Sequence, residues 1–420
     1  MASGSSTRRP GHGRGHSIGD PAHNPPHRSS TPMTHKISSV RFTSQEPSLK
    51  VDTLNAIMQQ ELENAIINNA PSLIEAVFPN PSLLSGNLDS LIKGLKFPKA
   101  PGIVQRGEEA VADWMNEIGS VIEQHTQSPI LRKWSALYCN TPLKDTPHSR
   151  KPDIMLLDAN IADSLSEGYV PKWFDVRGLS EVTSQESFHS TLKSTVTQKS
   201  YLVFLTQGDR RYVTTLSFHG KQFRFTVCDR AGVIHSKSLP ITWKNGRINP
   251  TLLRIIIGFM FATESDIGYD WTMARGPDGQ IIKIKIKDKE YEVVRRVFSS
   301  ETLRGRATQC WHVRINENGN MEEYIIKDSW VHTGRTANEI GFLEKLRDIE
   351  GVPRCIDAED VTLPNGVVDS TVTRRVGLAY SEVRVHRRLA MQPVGQPLTT
   401  FTCKKELVGA FRDLARGMYL

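Results

Sequence analysis

The sequence predicts a mixed α/β and α+β protein: a helical and α/β domain over residues 50–275, then a smaller antiparallel sheet with one helix over 286–420, behind a basic tail at 1–48. Three observations predict this division. Apolar residues recur at three- and four-residue steps from about residue 51 to 125, the helical period. Short β-rich runs follow and are flanked by helical patterns on both sides, the signature of an α/β layer. After residue 281 the pattern alternates with period two and turns at Asp288-Lys289 and Asn318-Gly319-Asn320, as in an antiparallel sheet. At 420 residues the chain also exceeds what one core usually organises.

Composition narrows the class. Hydrophobic residues make up 38% and charged residues 23%, which suits a globular chain with some disorder. The cysteines at 139, 228, 310, 355 and 403 form no C-x-x-C and no zinc spacing, so a reduced intracellular protein, cytoplasmic or nuclear, is expected. The most apolar run, 252–262, is interrupted by Arg254 and falls short of the roughly 20 residues a membrane span needs, which predicts a buried helix and no membrane partner. No apolar signal core stands at the N-terminus. Net charge is +8, and Arg8, Arg9, Arg14, Arg28 and Lys36 against Asp20 place +4 of it in the first 36 residues. That segment is too poor in large apolar side chains to offset the entropy of ordering, so it reads as a solvated, disordered leader ahead of a weak nucleic-acid contact.

Along the chain, Leu54, Ile57, Met58, Leu62, Ala65 and Ile66 predict a first helix and Val77 ends a second run. Val111, Trp114, Met115, Ile118 and Ile122 share one face of a helix from Gly107 to about His125. Strands are expected at 151–157, 173–176, 179–183, 201–205, 212–218, 222–228 and 233–241. In 281–287 isoleucine alternates with Lys283, Lys285 and Lys287. No aromatic residues are interleaved there, so a protected sheet edge is favoured over a nucleic-acid surface.

Two constellations carry chemistry. Pro152-Asp153 at a strand start and Glu181 on another strand resemble the acidic pair of the PD-(D/E)xK nuclease fold, with Gln198 and Tyr201 as a helix-borne pair. In that resemblance the acids would bind a divalent metal, but Thr183 stands at the lysine position, so no cleavage of nucleic acid is expected.

The second constellation is at 303–346. Strand period puts Ile325 and Lys327 on one face and Tyr324 and Ile326 on the other. Glu339 follows on a helix, with Leu343 and Leu346 at i+4 and i+7. A lysine ending an apolar strand, then a glutamate on the next helix, resembles the way protein kinases hold the α- and β-phosphates of ATP. Thr336-Ala-Asn-Glu339 equally fits a capping box, in which Glu339 would only cap the helix. Strands are expected after Gly351-Val-Pro353, at 372–379 and at 383–389. Met391-Gln-Pro-Val394 then leads to a final helix with Leu407, Phe411, Leu414 and Met418 along one stripe.

Taken in order, Gly305-Arg-Ala-Thr308 with Trp311, Lys327-Asp-Ser-Trp330, Gly351-Val-Pro353, 387–395 and Lys405-Glu-Leu407 resemble the fungal-type protein kinase family, a divergent branch of the Ser/Thr kinases. Upstream, Arg150-Lys-Pro-Asp153, 207–213, Asp229-Arg-Ala-Gly232 and Gly268-Tyr-Asp270 resemble the same family's N-terminal extension. The resemblance implies a kinase small lobe over 286–420 that binds ATP with magnesium and phosphorylates a protein Ser or Thr. In it Lys327 would meet the phosphates, Glu339 would orient Lys327, Gly305 would lie in the loop above, and Met391 and Val394 would stand at the adenine edge. Neither an H-R-D-x-x-x-x-N nor a D-F-G occurs in the 420 residues, so the magnesium ligands are missing and this chain by itself is expected to transfer no phosphate. The competing expectation is a nucleic-acid-associated module built on the nuclease-like domain.

Overall fold

The computed structural model describes residues 51–79, 87–276, 278–317, 319–334, 338–380 and 382–418. The basic tail, Asn318 and Thr336 lie outside these residues, as do the side chains of Leu414 and Met418.

Two sheets organise the described chain. The first has eight strands: β1 (Ile66–Ala70), β2 (Arg132–Ser135), β3 (Ile154–Asp158), β4 (Gly178–Thr183), β5 (Tyr212–His219), β6 (Gln222–Asp229), β7 (Gly232–Ser236) and the short β8 (Leu239–Pro240). Their order is β1-β7-β6-β5-β4-β3-β2, with β8 added to β6. The β1–β7 and β4–β5 pairs are parallel and the rest antiparallel. Alternation along the strands feeds two cores. Ile154, Leu156, Leu216 and Phe218 pack on one face with α2 (Leu73–Val77), α3 (Leu88–Gly94), α4 (Ile103–Thr126) and α7 (Pro250–Phe261). Met155, Leu157 and Val213 pack on the other with α1 (Val51–Glu61) and α6 (Ser190–Thr206). The short helix α5 (Ala159–Ser164) follows β3.

The apolar run at 252–262 is the buried helix expected of it. Asn249 caps α7 by accepting from the Thr251 N–H at 3.0 Å. A Cβ at Gly258 would lie 2.5 Å from the Phe78 ring, so the helix approaches α2 more closely there than any other residue allows. No helix among the described residues is long and apolar enough to cross a membrane.

The second sheet is wholly antiparallel, in the order β14-β15-β13-β12-β11-β10-β9. Its strands are β9 (Met273–Arg275), β10 (Ile281–Ile286), β11 (Lys289–Ser299), β12 (Gln309–Glu317), β13 (Asn320–His332), β14 (Arg354–Asp360) and β15 (Arg384–Gln392). The helix α8 (Glu339–Lys345) follows β13, and α9 (Lys404–Met418) follows β15. Ile284, Tyr291, Trp311, Val313, Tyr324 and Ile326 form a small core on one face.

Several expectations need correction. The 201–205 run is the end of α6, because every residue from Val196 to Phe204 is buried and an element buried all round shows no period. Ala65 and Ile66 leave α1 through a turn with Asn64 at φ 58°, and Ile66 opens β1. Residues 173–175 and 371–374 are 3-10 turns rather than strands. The lysine strand is no edge, since β10 pairs with β9 on one side and β11 on the other. Lys283 is paired with Glu290 and Lys287 with Asp357, so two of the three lysines of the row are neutralised.

A buried polar network joins the sheets. Asp229 holds Arg374 at 3.2 Å and Arg375 in a two-pronged contact, Arg211 reaches Asp369 at 3.1 Å, and Arg388 spans Asp270 and Asp328. Burial alone would lower the His386 pKa, but Asp328 and Asp369 outweigh it and bring it up to about 9. Removing one partner from such a cluster leaves an uncompensated buried charge, at about 3–5 kcal/mol. The network therefore fixes the second sheet on the first through polar groups.

Candidate functional site

Lys327 sits in the middle of β13, opposite Cys310 of β12 and Leu389 of β15. Its neighbours Tyr324 and Ile326 fill the small core, so strand alternation sends Lys327 to the other face. There its ammonium donates to Glu339 Oε1 in a short ion pair. Asn338 is the N-cap of α8, its side chain accepting from the Ile340 N–H at 3.2 Å. Glu339 is therefore the first residue of the helix and its carboxylate is engaged by cations. The capping-box alternative fails on this geometry, although its Thr336 lies outside the described residues.

Arg306 completes the group. Its Nη2 donates to Glu339 Oε2 at 2.9 Å. Burial would raise the Glu339 pKa, but Lys327 and Arg306 outweigh it and hold the carboxyl below the usual glutamate range. Two cations thus converge on the two oxygens of one carboxylate. Met391 stands across from Ile325 on one side and Cys355 on the other, near Lys327 on the neighbouring strand. Val394 lies two residues beyond the end of β15. The Gly305 backbone turns away: its N–H donates to the carbonyl of Arg230, in the first sheet's layer, at 2.9 Å.

The acidic pair has assembled differently from its sequence pattern. Asp153 accepts from the Val182 N–H at 3.0 Å, and Glu181 is buried on β4. Thr183 supplies no cation, but Lys199 of α6 does, contacting Glu181 and lying 3.3 Å from Asp153 Oδ1. Burial, with Asp153 adding, pushes Glu181 up to about 8 against the pull of Lys199. Gln198 accepts from Arg150 Nε at 3.0 Å and contacts Asn55, while Tyr201 points into the core. Among the described residues, no group of three His, Cys, Asp or Glu is placed to hold a metal ion.

Sequence reasoning missed Lys199 and Arg306. Reading 201–205 as a helix would have put Lys199 on the face above Glu181. Arg306 carries no local signal beyond following a glycine between two strands.

The family model for fungal protein kinase matches residues 151–383, more than half of the 420-residue chain. The chain belongs to the fungal protein kinase family. In this fungal protein kinase the match runs from just ahead of β3 to the residue before β15, so it takes in most of both sheets. It includes Asp153, Glu181, Lys199, Gly305, Lys327 and Glu339, and leaves Met391 and Val394 outside. It carries the kinase resemblance and not the PD-(D/E)xK one. No curated protein matches the chain.

Proposed function

We propose that the Lys327 site binds the phosphates of ATP and that this family member is built for Ser/Thr protein phosphorylation, the second sheet with α8 and α9 serving as its kinase small lobe. The observation that carries this reading is the Lys327–Glu339 ion pair, a strand lysine held by the first residue of the following helix. A flexible lysine stem loses entropy on meeting a ligand, and a carboxylate that already holds the ammonium reduces that cost. Glu339 is the positioning residue and Lys327 the phosphate contact. The strand end from Met391 to Val394 supplies the adenine edge. ATP fits the residues present, because Lys327 is partly exposed and the two cations outnumber the carboxylate between them.

Magnesium does not fit in the same way. No trio of ligands converges among the described residues and no D-F-G or H-R-D occurs in the sequence, so no step is derived through the metal. The reading tested for residues 1–420 is therefore nucleotide binding. Equilibrium titration of the full chain with ATP tests it. Lys327→Ala should weaken ATP roughly ten-fold or more, as expected for a lost charge-assisted hydrogen bond, while costing the fold about 1 kcal/mol or less. Equal affinity in the variant and the parent would sink the proposal.

A further inference from the structure

We propose that Arg306 is a second phosphate-contacting cation of this site, held in place by the first sheet's layer, so that both sheets take part in recognising one polyphosphate. The inference rests on the nucleotide reading above and names a residue and a layer which that reading does not use.

The loop at 300–308 is anchored outside its own sheet. Leu303 is fully buried in the core formed by Leu54, Met58, Leu62, Leu202 and Val203. The buried Glu61 of α1 accepts from the N–H groups of Leu303 and Arg304 at 3.0 and 3.3 Å. Arg230, just past β6, donates to the Thr302 carbonyl at 2.9 Å and accepts from the Gly305 N–H at 2.9 Å. Arg304 is tied to Glu382 at 2.6 Å. A loop covering phosphates by backbone flexibility needs freedom that these bonds remove.

What the loop presents instead is one side chain in a set direction. Arg306 lies between Gly305 at φ 124° and Ala307 at φ 42°. Positive φ at an alanine is strained and persists only where the surroundings over-determine it. Here Ala307 is buried and the Arg306 carbonyl accepts from the Trp330 N–H at 2.8 Å. These contacts hold the strained backbone turn from which Arg306 reaches Glu339.

Charge supplies the ligand class. Lys327 and Arg306 share Glu339, which leaves the trio with one positive charge. Among the described residues nearby, Arg387 is paired with Asp360, and Asp328 is turned to the buried side against His386 and Arg388. The Arg306 side chain is one-third exposed, so its forked donors can meet a ligand, and a guanidinium beside an ammonium suits adjacent phosphates.

The test uses the full chain with three probes, ATP, inorganic tripolyphosphate and adenosine, and the variants Arg306→Gln, Arg306→Lys and Glu61→Gln. Arg306→Gln should weaken ATP and tripolyphosphate roughly ten-fold or more and leave adenosine unchanged, with Arg306→Lys recovering part of the loss. Glu61→Gln loosens the loop's anchor without removing a ligand contact and should weaken ATP less, again sparing adenosine. If the parent binds ATP and Arg306→Gln binds it equally well, the Arg306 proposal falls while the Lys327 site stands. A change in adenosine binding of the same size as that in ATP would also overturn it, since that is a structural effect. If the parent binds tripolyphosphate but not ATP, and Arg306→Gln loses it, the anion contact stands and the nucleotide reading falls. Binding of none of the probes overturns both.

Discussion

Two of the lysine–carboxylate centres among the described residues, at Lys199 and at Lys327, use the same residue types and differ in the sign of their surplus charge. In the first sheet, Lys199 faces Glu181 and Asp153, one cation for two acids, with side-chain exposures of 5%, 1% and 24%. In the second, Lys327 and Arg306 share Glu339, two cations for one acid, with exposures of 19%, 34% and 36%. The same residue types therefore do different work. The first centre is a desolvated internal pairing whose acid is driven toward its neutral form. The second is open to solvent and left short of an anion, the condition a phosphate ligand relieves. Exposure and charge balance separate them, and neither is visible in a motif.

The largest effect should come from deleting each lysine in turn. Lys199→Ala leaves the buried Glu181 carboxyl without its partner and should cost about 1–3 kcal/mol in denaturant unfolding. Lys327→Ala should cost about 1 kcal/mol or less, because its partner is more than a third exposed and solvent screens the pair. Equal losses would dissolve the contrast.

The pH dependence should run in opposite directions. Glu181 is raised above its ordinary 4.5 to about 8, so within that window the folded chain keeps a proton that the unfolded chain has released. Stability from this group therefore falls as pH rises through the window. Glu339 is lowered, so its contribution is present above 4.5 and is lost as pH falls below that value. Glu181→Gln should flatten the stability profile between pH 4.5 and about 8 and Glu339→Gln below 4.5, the second more weakly. A Glu181→Gln profile that keeps the parent's slope between pH 4.5 and about 8 would contradict the assignment.

How far the sequence made these centres legible depends on how local the signal was. Lys327 and Glu339 could be placed because strand alternation and a helix start are read from neighbouring residues. Asn338 and Glu339 still divided the roles differently from a capping box. Lys199 could not be placed, since α6 is buried all round from Val196 to Phe204 and has no polar face there to mark its period. The sheet pairing that makes β10 an interior strand and the burial that draws residues 371–374 into a turn both depend on contacts far along the chain. The anchoring of the 300–308 loop joins Leu303 to Glu61 across 242 positions, a separation no local pattern records.

A smaller effect sharpens the second centre alone. In a double-mutant cycle on the full chain, Lys327→Ala and Glu339→Gln should couple by about 0.5–1 kcal/mol, above the scatter of independent sites. Additive losses would mean that the two side chains are neighbours without being a pair.

Amide hydrogen exchange with and without ATP reads both centres in one experiment. ATP should slow exchange in the 300–308 loop, in β13 around Lys327 and at the start of α8, and leave β4 and α6 around Glu181 and Lys199 unchanged. Protection confined to β4 and α6, or no protection at β13 and α8 at saturating ATP, would contradict the nucleotide reading of the Lys327 site.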